Sequence, residues 1–190
     1  MRITDAQQRI SPALWAVLPA VALIATGCTM TQPGSPTPPS SAAMAEQLMA
    51  WPSLEETQRQ LQGAIDEIAT ATTALVPGIR FTDYHGESGI SCTDGPYQGT
   101  EARARYMPDR AGEGATVSEA QWATIVDVTK AAAAKVDVTT MQVLKDSPGD
   151  HDVWFTGPGG SAIKLAYQVN LVISGYTGCR LLEEDRKPGS

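Results

Sequence analysis

"AIKLAYQVNLVISG", residues 162–175, decides the fold. Ile163, Leu165, Tyr167, Val169, Leu171 and Ile173 alternate with Ala162, Lys164, Ala166, Gln168, Asn170 and Val172. A period of two sends each set to its own face, so the segment reads as one long antiparallel strand with an apolar face and a mixed one. Burying the apolar face would contribute at most about 9–18 kcal/mol. Some other element must cover it.

Two helices upstream suit that role. "SLEETQRQLQGAIDEIATATTALVPG" opens with a capping-box pattern, Ser53 and Glu56, and places Leu54, Leu61, Ile65, Ile68 and Leu75 at helical spacing before Pro77-Gly78 stops it. "SEAQWATIVDVTKAAAAKV" repeats the device with Ser118 and Gln121, and its stripe is Trp122, Ile125, Val126, Thr129, Ala132, Ala133 and Val136. "GIRFTDY" and, more weakly, "TEARARYMPD" read as strands between the helices. "TTMQVLKD" and "DVWFTG" follow them, divided from each other and from the long strand by the turn sequences "SPGD" (147–150) and "GPGG" (157–160). The expected fold is α+β in the order α-β-β-α-β-β-β, two helices on one face of an antiparallel sheet of four or five strands. There is no internal repeat.

The ends of the chain are of another kind. Arg2 and Arg9 precede an uncharged run, Pro12 to Gly27, that falls short of the roughly 20 residues of a membrane span. Ala25, Thr26 and Gly27 are small and Cys28 follows at once. That is the pattern of a lipoprotein signal, with residues 1–27 removed and the Cys28 thiol carrying diacylglycerol, acylated further with palmitate-type chains; each buried CH₂ contributes roughly 0.8 kcal/mol to anchoring. The plainer alternative is an ordinary secretory signal cut nearby, with Cys28 incidental. Residues 28–41 then form an anchor and a Pro/Ser/Thr tether; Pro33, Pro36, Pro38 and Pro39 favour extended backbone that would reach roughly 40 Å. Residues 42–182 make the α+β domain, and "EEDRKPGS" (183–190) a disordered tail. The protein is expected to be exported and held on the extracytoplasmic face of the cell membrane.

The charge balance narrows the partners. Net charge is −7; loss of Arg2, Arg9 and Asp5 with the signal leaves 12 basic against 20 acidic residues, a net of −8. No run of Lys or Arg is present, which argues against nucleic acid and against docking to anionic lipid headgroups. The remaining cysteines, Cys92 and Cys179, are an even pair in an exported domain and read as a disulfide. Such a loop would stabilise by about 4.5 kcal/mol on the chain-entropy view. Metal ligation by the pair is the rival, disfavoured because no third and fourth ligand stand at finger-like spacing.

Candidate chemistry is sparse. His85 lies in "TDYHGES" with Asp83 and Glu87, and His151 in "PGDHDVW" with Asp150 and Asp152. Were the two loops to meet, a metal or acid–base site would be possible; read singly, both are polar residues at strand ends. Ser161 and Lys164 match the Ser-x-x-Lys spacing of penicillin-recognising enzymes, but a strand sends positions three apart to opposite faces, and no Ser-Asp-Asn or Lys-Thr-Gly accompanies them. "GPGG" has no following helix or Gly-Lys-Ser/Thr, so it reads as a hairpin turn rather than a phosphate cradle. Among the aromatic residues, Trp51, Trp122 and Trp154 are possible pocket walls. Trp122 falls on the helix stripe and suits the core. Trp154 and Phe155 are adjacent, so one faces away from whatever covers the other, which hints at a binding surface.

The lipobox at Cys28, the Pro-rich tether, "GISCTDG" and "GYTGCRLL" together resemble the mycobacterial LppA-type lipoproteins, a likeness running from "VALIATGC" through "SEAQWATIV" to "LVISGYTGC". The resemblance implies an α+β domain, lipidation at Cys28 and pairing of Cys92 with Cys179. It implies no biochemical activity. The expected function is therefore a membrane-anchored envelope binding module without catalytic residues or cofactor, held through lipid on Cys28, whose ligand is an envelope protein, a lipid or a glycan. An envelope hydrolase, or a lipid or glycolipid carrier, is the alternative.

Overall fold

A computed structural model describes residues 39–186. The signal, Cys28 and most of the tether lie outside that range, as do residues 187–190. Three helices, α1 (Ser41–Ala50), α2 (Leu54–Leu75) and α3 (Glu119–Ala134), accompany eight strands. These are β1 (Arg80–Tyr84), β2 (Ser88–Ser91), β3 (Arg103–Tyr106), β4 (Asp109–Glu113), β5 (Thr140–Ser147), β6 (Asp150–Thr156), β7 (Ala162–Tyr167) and β8 (Leu171–Tyr176). The class is α+β, as the sequence pattern implies. Two helices and four or five strands understate it, and the expected order α-β-β-α-β-β-β gives way to two helices, four strands, one helix and four strands.

Of the two capping motifs, Ser118 with Gln121 forms a complete capping box. At α2 only half forms: Ser53 Oγ accepts the Glu56 amide at 3.2 Å, while the Glu56 carboxylate turns to Arg59 and Gln60. Each such cap supplies about 1 kcal/mol by satisfying an orphan helix donor. Helix α1 is the addition. Ser40 caps it, and its sequence, "SAAMAEQLMA", offers a stripe of only Met44 and Leu48, wedged between the prolines and Trp51-Pro52.

All pairings are antiparallel, in the order β1-β4-β8-β7-β6-β5, with β2 on β3 and β3 on the end of β8. Strands β1 and β2 are one line bent at His85, which is left-handed (φ 55°). Pro108 interrupts the facing line between β3 and β4.

The largest correction concerns residues 162–175. They form not one strand but a hairpin, β7 and β8, closed by Gln168-Val169-Asn170. Tyr167 pairs directly with Leu171, and directly paired residues share a face. Those two are four apart in sequence, an even number, so the alternation runs through the turn unchanged. Val169, expected on the apolar face, is 81% exposed at the tip.

Helices α2 and α3 cover one face. Their Ile65, Ile68 and Ile125 pack with Val153, Phe155, Ile163, Leu165, Leu171 and Ile173, every one buried. A second, smaller cluster joins Met44 and Leu48 of α1 to Ala102, Ala104, Leu181 and the disulfide Cys92–Cys179, with Tyr176 beside it. Gly175 abuts Ile65 of α2, so Tyr176 points the other way, and α1 sits against the opposite end-face of the sheet. No helix among the described residues is long and apolar enough to cross a membrane.

Candidate functional site: the open face of the sheet

Register identifies which side chains face away from α2 and α3. Gln142 pairs with Trp154, Trp154 with Lys164, and Lys164 with Ser174. The Ser174 hydroxyl donates to Asp109, and Asp109 pairs with Tyr84. One row thus crosses the sheet from edge to edge, with Trp154 and Tyr84 near its ends and polar groups between. Beside it runs a lower row, Asp152, Ala166, Val172, Ala111 and Thr82. Tyr106 and Tyr176 meet beyond, their rings tilted by 32° with centroids 4.7 Å apart, next to α1.

The Trp154–Phe155 pair resolves by the same parity. Phe155 is fully buried under the helices, and Trp154 is 37% exposed on the open face. Lys164 Nζ lies 5.5 Å from the Trp154 ring and 3.0 Å from Asp152 Oδ2. The lysine stands over the indole face, where a cation is attracted to the ring. The row is an open surface of polar groups with aromatic side chains near its ends, suited to contact rather than to enclosure.

The histidines are far apart. His151 stands at the start of β6 facing the helices; His85 stands beyond β1, with β4, β8 and β7 between the two. His151 has a side chain 2% exposed, stacked on Trp122 at 4.6 Å. Its Nδ1 faces Asp146 Oδ1 at 3.1 Å and its Nε2 faces Glu119 Oε2 at 3.2 Å. Both nitrogens are occupied, and the two carboxylates stand on opposite sides of the ring, so no cation could meet all three. Glu119 also accepts the Gly149 amide at 2.9 Å; that bond first, and His151 second, hold its carboxyl below the usual range. No cluster of three metal-ligating side chains occurs among the described residues.

His85 is exposed, with Nδ1 3.5 Å from Asp109 Oδ2. Ser174 bonds the same carboxylate, so the order is His–Asp–Ser. The acid in the middle keeps the imidazole from the hydroxyl, the reverse of a Ser-His-Asp relay. The carboxylates flanking both histidines are taken up by cations: Asp83 by Arg110 (3.2 Å), Glu87 by Arg105 (3.6 Å), Asp150 by Lys145 (2.8 Å) and Asp152 by Lys164. Ser161 is buried with its hydroxyl donating to Pro158 O, while Lys164 lies on the open face. The "GPGG" segment is a turn packed under Arg180 and Trp51.

Arg180 falls in no pattern that the sequence displays, and Lys164 matches the rejected Ser-x-x-Lys spacing. The signal for Lys164 was present in the mixed face of residues 162–175. For Arg180 the nearby Gly159 and Gly178 were the sole trace, since both mark close approach of backbone.

A family model described as LppA, a lipoprotein confined to pathogenic Mycobacterium, matches residues 30–183. The protein LppA from Mycobacterium tuberculosis shares the fold at a TM-score of 0.60 and 18% identity, over 76% of this chain and 87% of that one. A DUF4853-family protein from Actinomyces odontolyticus is similar at a TM-score of 0.53 and 18% identity, over 73% of this chain and 72% of the other. No curated protein matches the sequence.

Proposed function

The chain belongs to the LppA lipoprotein family, and from that premise we propose that it is an envelope lipoprotein, anchored through Cys28, whose open sheet face docks a partner in the envelope. The observation that carries the reading is the unbroken row from Gln142 to Tyr84, with Trp154 exposed on it. Exposed aromatic side chains are a recurring feature of contact surfaces, where they give area at little entropic cost. Against the carrier alternative, the space between helices and sheet is filled by side chains such as Ile68, Ile125, Phe155 and Leu165, each essentially inaccessible. Against the hydrolase alternative, both His151 nitrogens are engaged by carboxylates and His85 is wired to Asp109.

The test is site-specific photocrosslinking of the full chain in its native envelope. A photoreactive residue at Gln142 or Trp154 is expected to trap a discrete adduct. The same residue at Thr70, on the exposed side of α2, is expected to trap none. Equal labelling at all three positions, or none at any, would refute docking through this face. A native mass that retains a lipid would favour the carrier instead.

A further inference from the structure

Strands β2 and β3 make a two-stranded ribbon, and its register sets four positions at the corners of a square. Ser91 pairs with Arg103 and Gly89 with Arg105, and directly paired residues share a face. That face looks toward α2, because Arg105 Nη1 donates to Gln58 Oε1 at 2.7 Å. Two arginines thus stand roughly 7 Å apart along one strand. A hydroxyl lies opposite the first and no side chain opposite the second.

A cleft of about 350 Å³ opens over these four residues, bounded by Leu54 at the start of α2 and by Leu182. Its lining holds two cations and no carboxylate, in a chain of net charge −7. Both side chains are open to solvent: Arg103 is exposed, and the Arg105 side chain is 35% exposed. Arg105 faces Glu87 at 3.6 Å, outside the lining, which offsets its charge in part. Arg103 has no carboxylate within ion-pair reach among the described residues. Its backbone is fixed from both sides, since β2 pairs with it and Arg180 exchanges two hydrogen bonds of 2.8 Å with it. The corner at Gly89 is open: a Cβ there would meet only Ala104 O, at 3.8 Å.

We propose that this cleft binds a small organic oxyanion, its carboxylate or phosphate head held by Arg103, Arg105 and Ser91 and its body lying over Gly89. Guanidinium forks suit both heads, which accept paired N–H bonds. The volume exceeds that of a bare ion and falls near the lower end of small-molecule sites. The cleft lies on the helix side of the ribbon, apart from the open face that carries Trp154.

Titration of the full chain with benzoate and with phenyl phosphate, followed by amide NMR, tests the proposal. Saturating shifts are expected at Gly89, Ser91 and Arg103, and the tighter probe names the head. Affinity should fall as salt is raised, because the charges are exposed. Arg103→Gln is expected to weaken binding about tenfold, the loss of a charge-assisted hydrogen bond. Gly89 is not left-handed, so Gly89→Val keeps the strand; it is expected to abolish binding by filling the cleft, without lowering Tm. Lys130→Gln, an exposed cation on α3, is expected to change nothing. Absence of saturation with both probes overturns the proposal, as does saturation that either Arg103→Gln or Gly89→Val leaves unchanged. Equal affinity for uncharged benzyl alcohol also overturns it, because the cleft would then select no anion.

Discussion

At Glu119 one carboxylate accepts the Gly149 amide and faces His151, joining the start of α3 to the β5–β6 turn. Its folded-state pKa lies below the ordinary value, so its contribution to stability is present above the unfolded carboxylate pKa and fades as pH falls through the folded one. The Gly149 amide shift should therefore titrate with a midpoint below about 4.3. In Glu119→Gln that titration should vanish, and the stability gap to the unmodified protein should close as the solution is acidified. A midpoint at or above the ordinary value would show that the amide bond does not form in solution. None of this was legible in the sequence, because His151 meets a carboxylate 32 positions away that no local pattern connects to it. The Trp154–Phe155 pair was legible, since adjacent strand residues must part.

Elements were legible where one period ruled a segment. Helices α2 and α3 announced themselves by spacing and caps. Helix α1 did not, because two buried side chains make too narrow a stripe to tell from a tether. The β7–β8 hairpin was hidden for a geometric reason: its turn preserves parity, so alternation is the same whether the chain runs straight or doubles back. Length was the available clue, since 14 residues exceed the usual strand. Val169→Asp separates the two readings in solution. On a continuous buried face it would cost several kcal/mol; at an exposed turn it should change stability by less than about 0.5 kcal/mol in urea titration.

The described residues form two hydrophobic centres of unequal size, and the disulfide belongs to the smaller. It crosslinks positions 87 apart, joining the β2–β3 loop to the segment after β8. Replacing Cys92 and Cys179 together by alanine should lower stability by about 2–5 kcal/mol. Hydrogen exchange should then show residues 41–50 losing protection while α2 keeps its own. Uniform loss across both helices would mean that the two centres unfold as one. The position of α1 has a mechanical consequence. Among the described residues, α1 is the first element that a pull from the N-terminal side meets. Met44 and Leu48 are its buried side chains, Arg186 donates to its Met49 carbonyl, and behind it stands a covalent crosslink. Under tension the short helix should peel away at low force and lengthen the molecule, while the sheet beyond the crosslink keeps its shape: a small extensible lead in front of a stiff body.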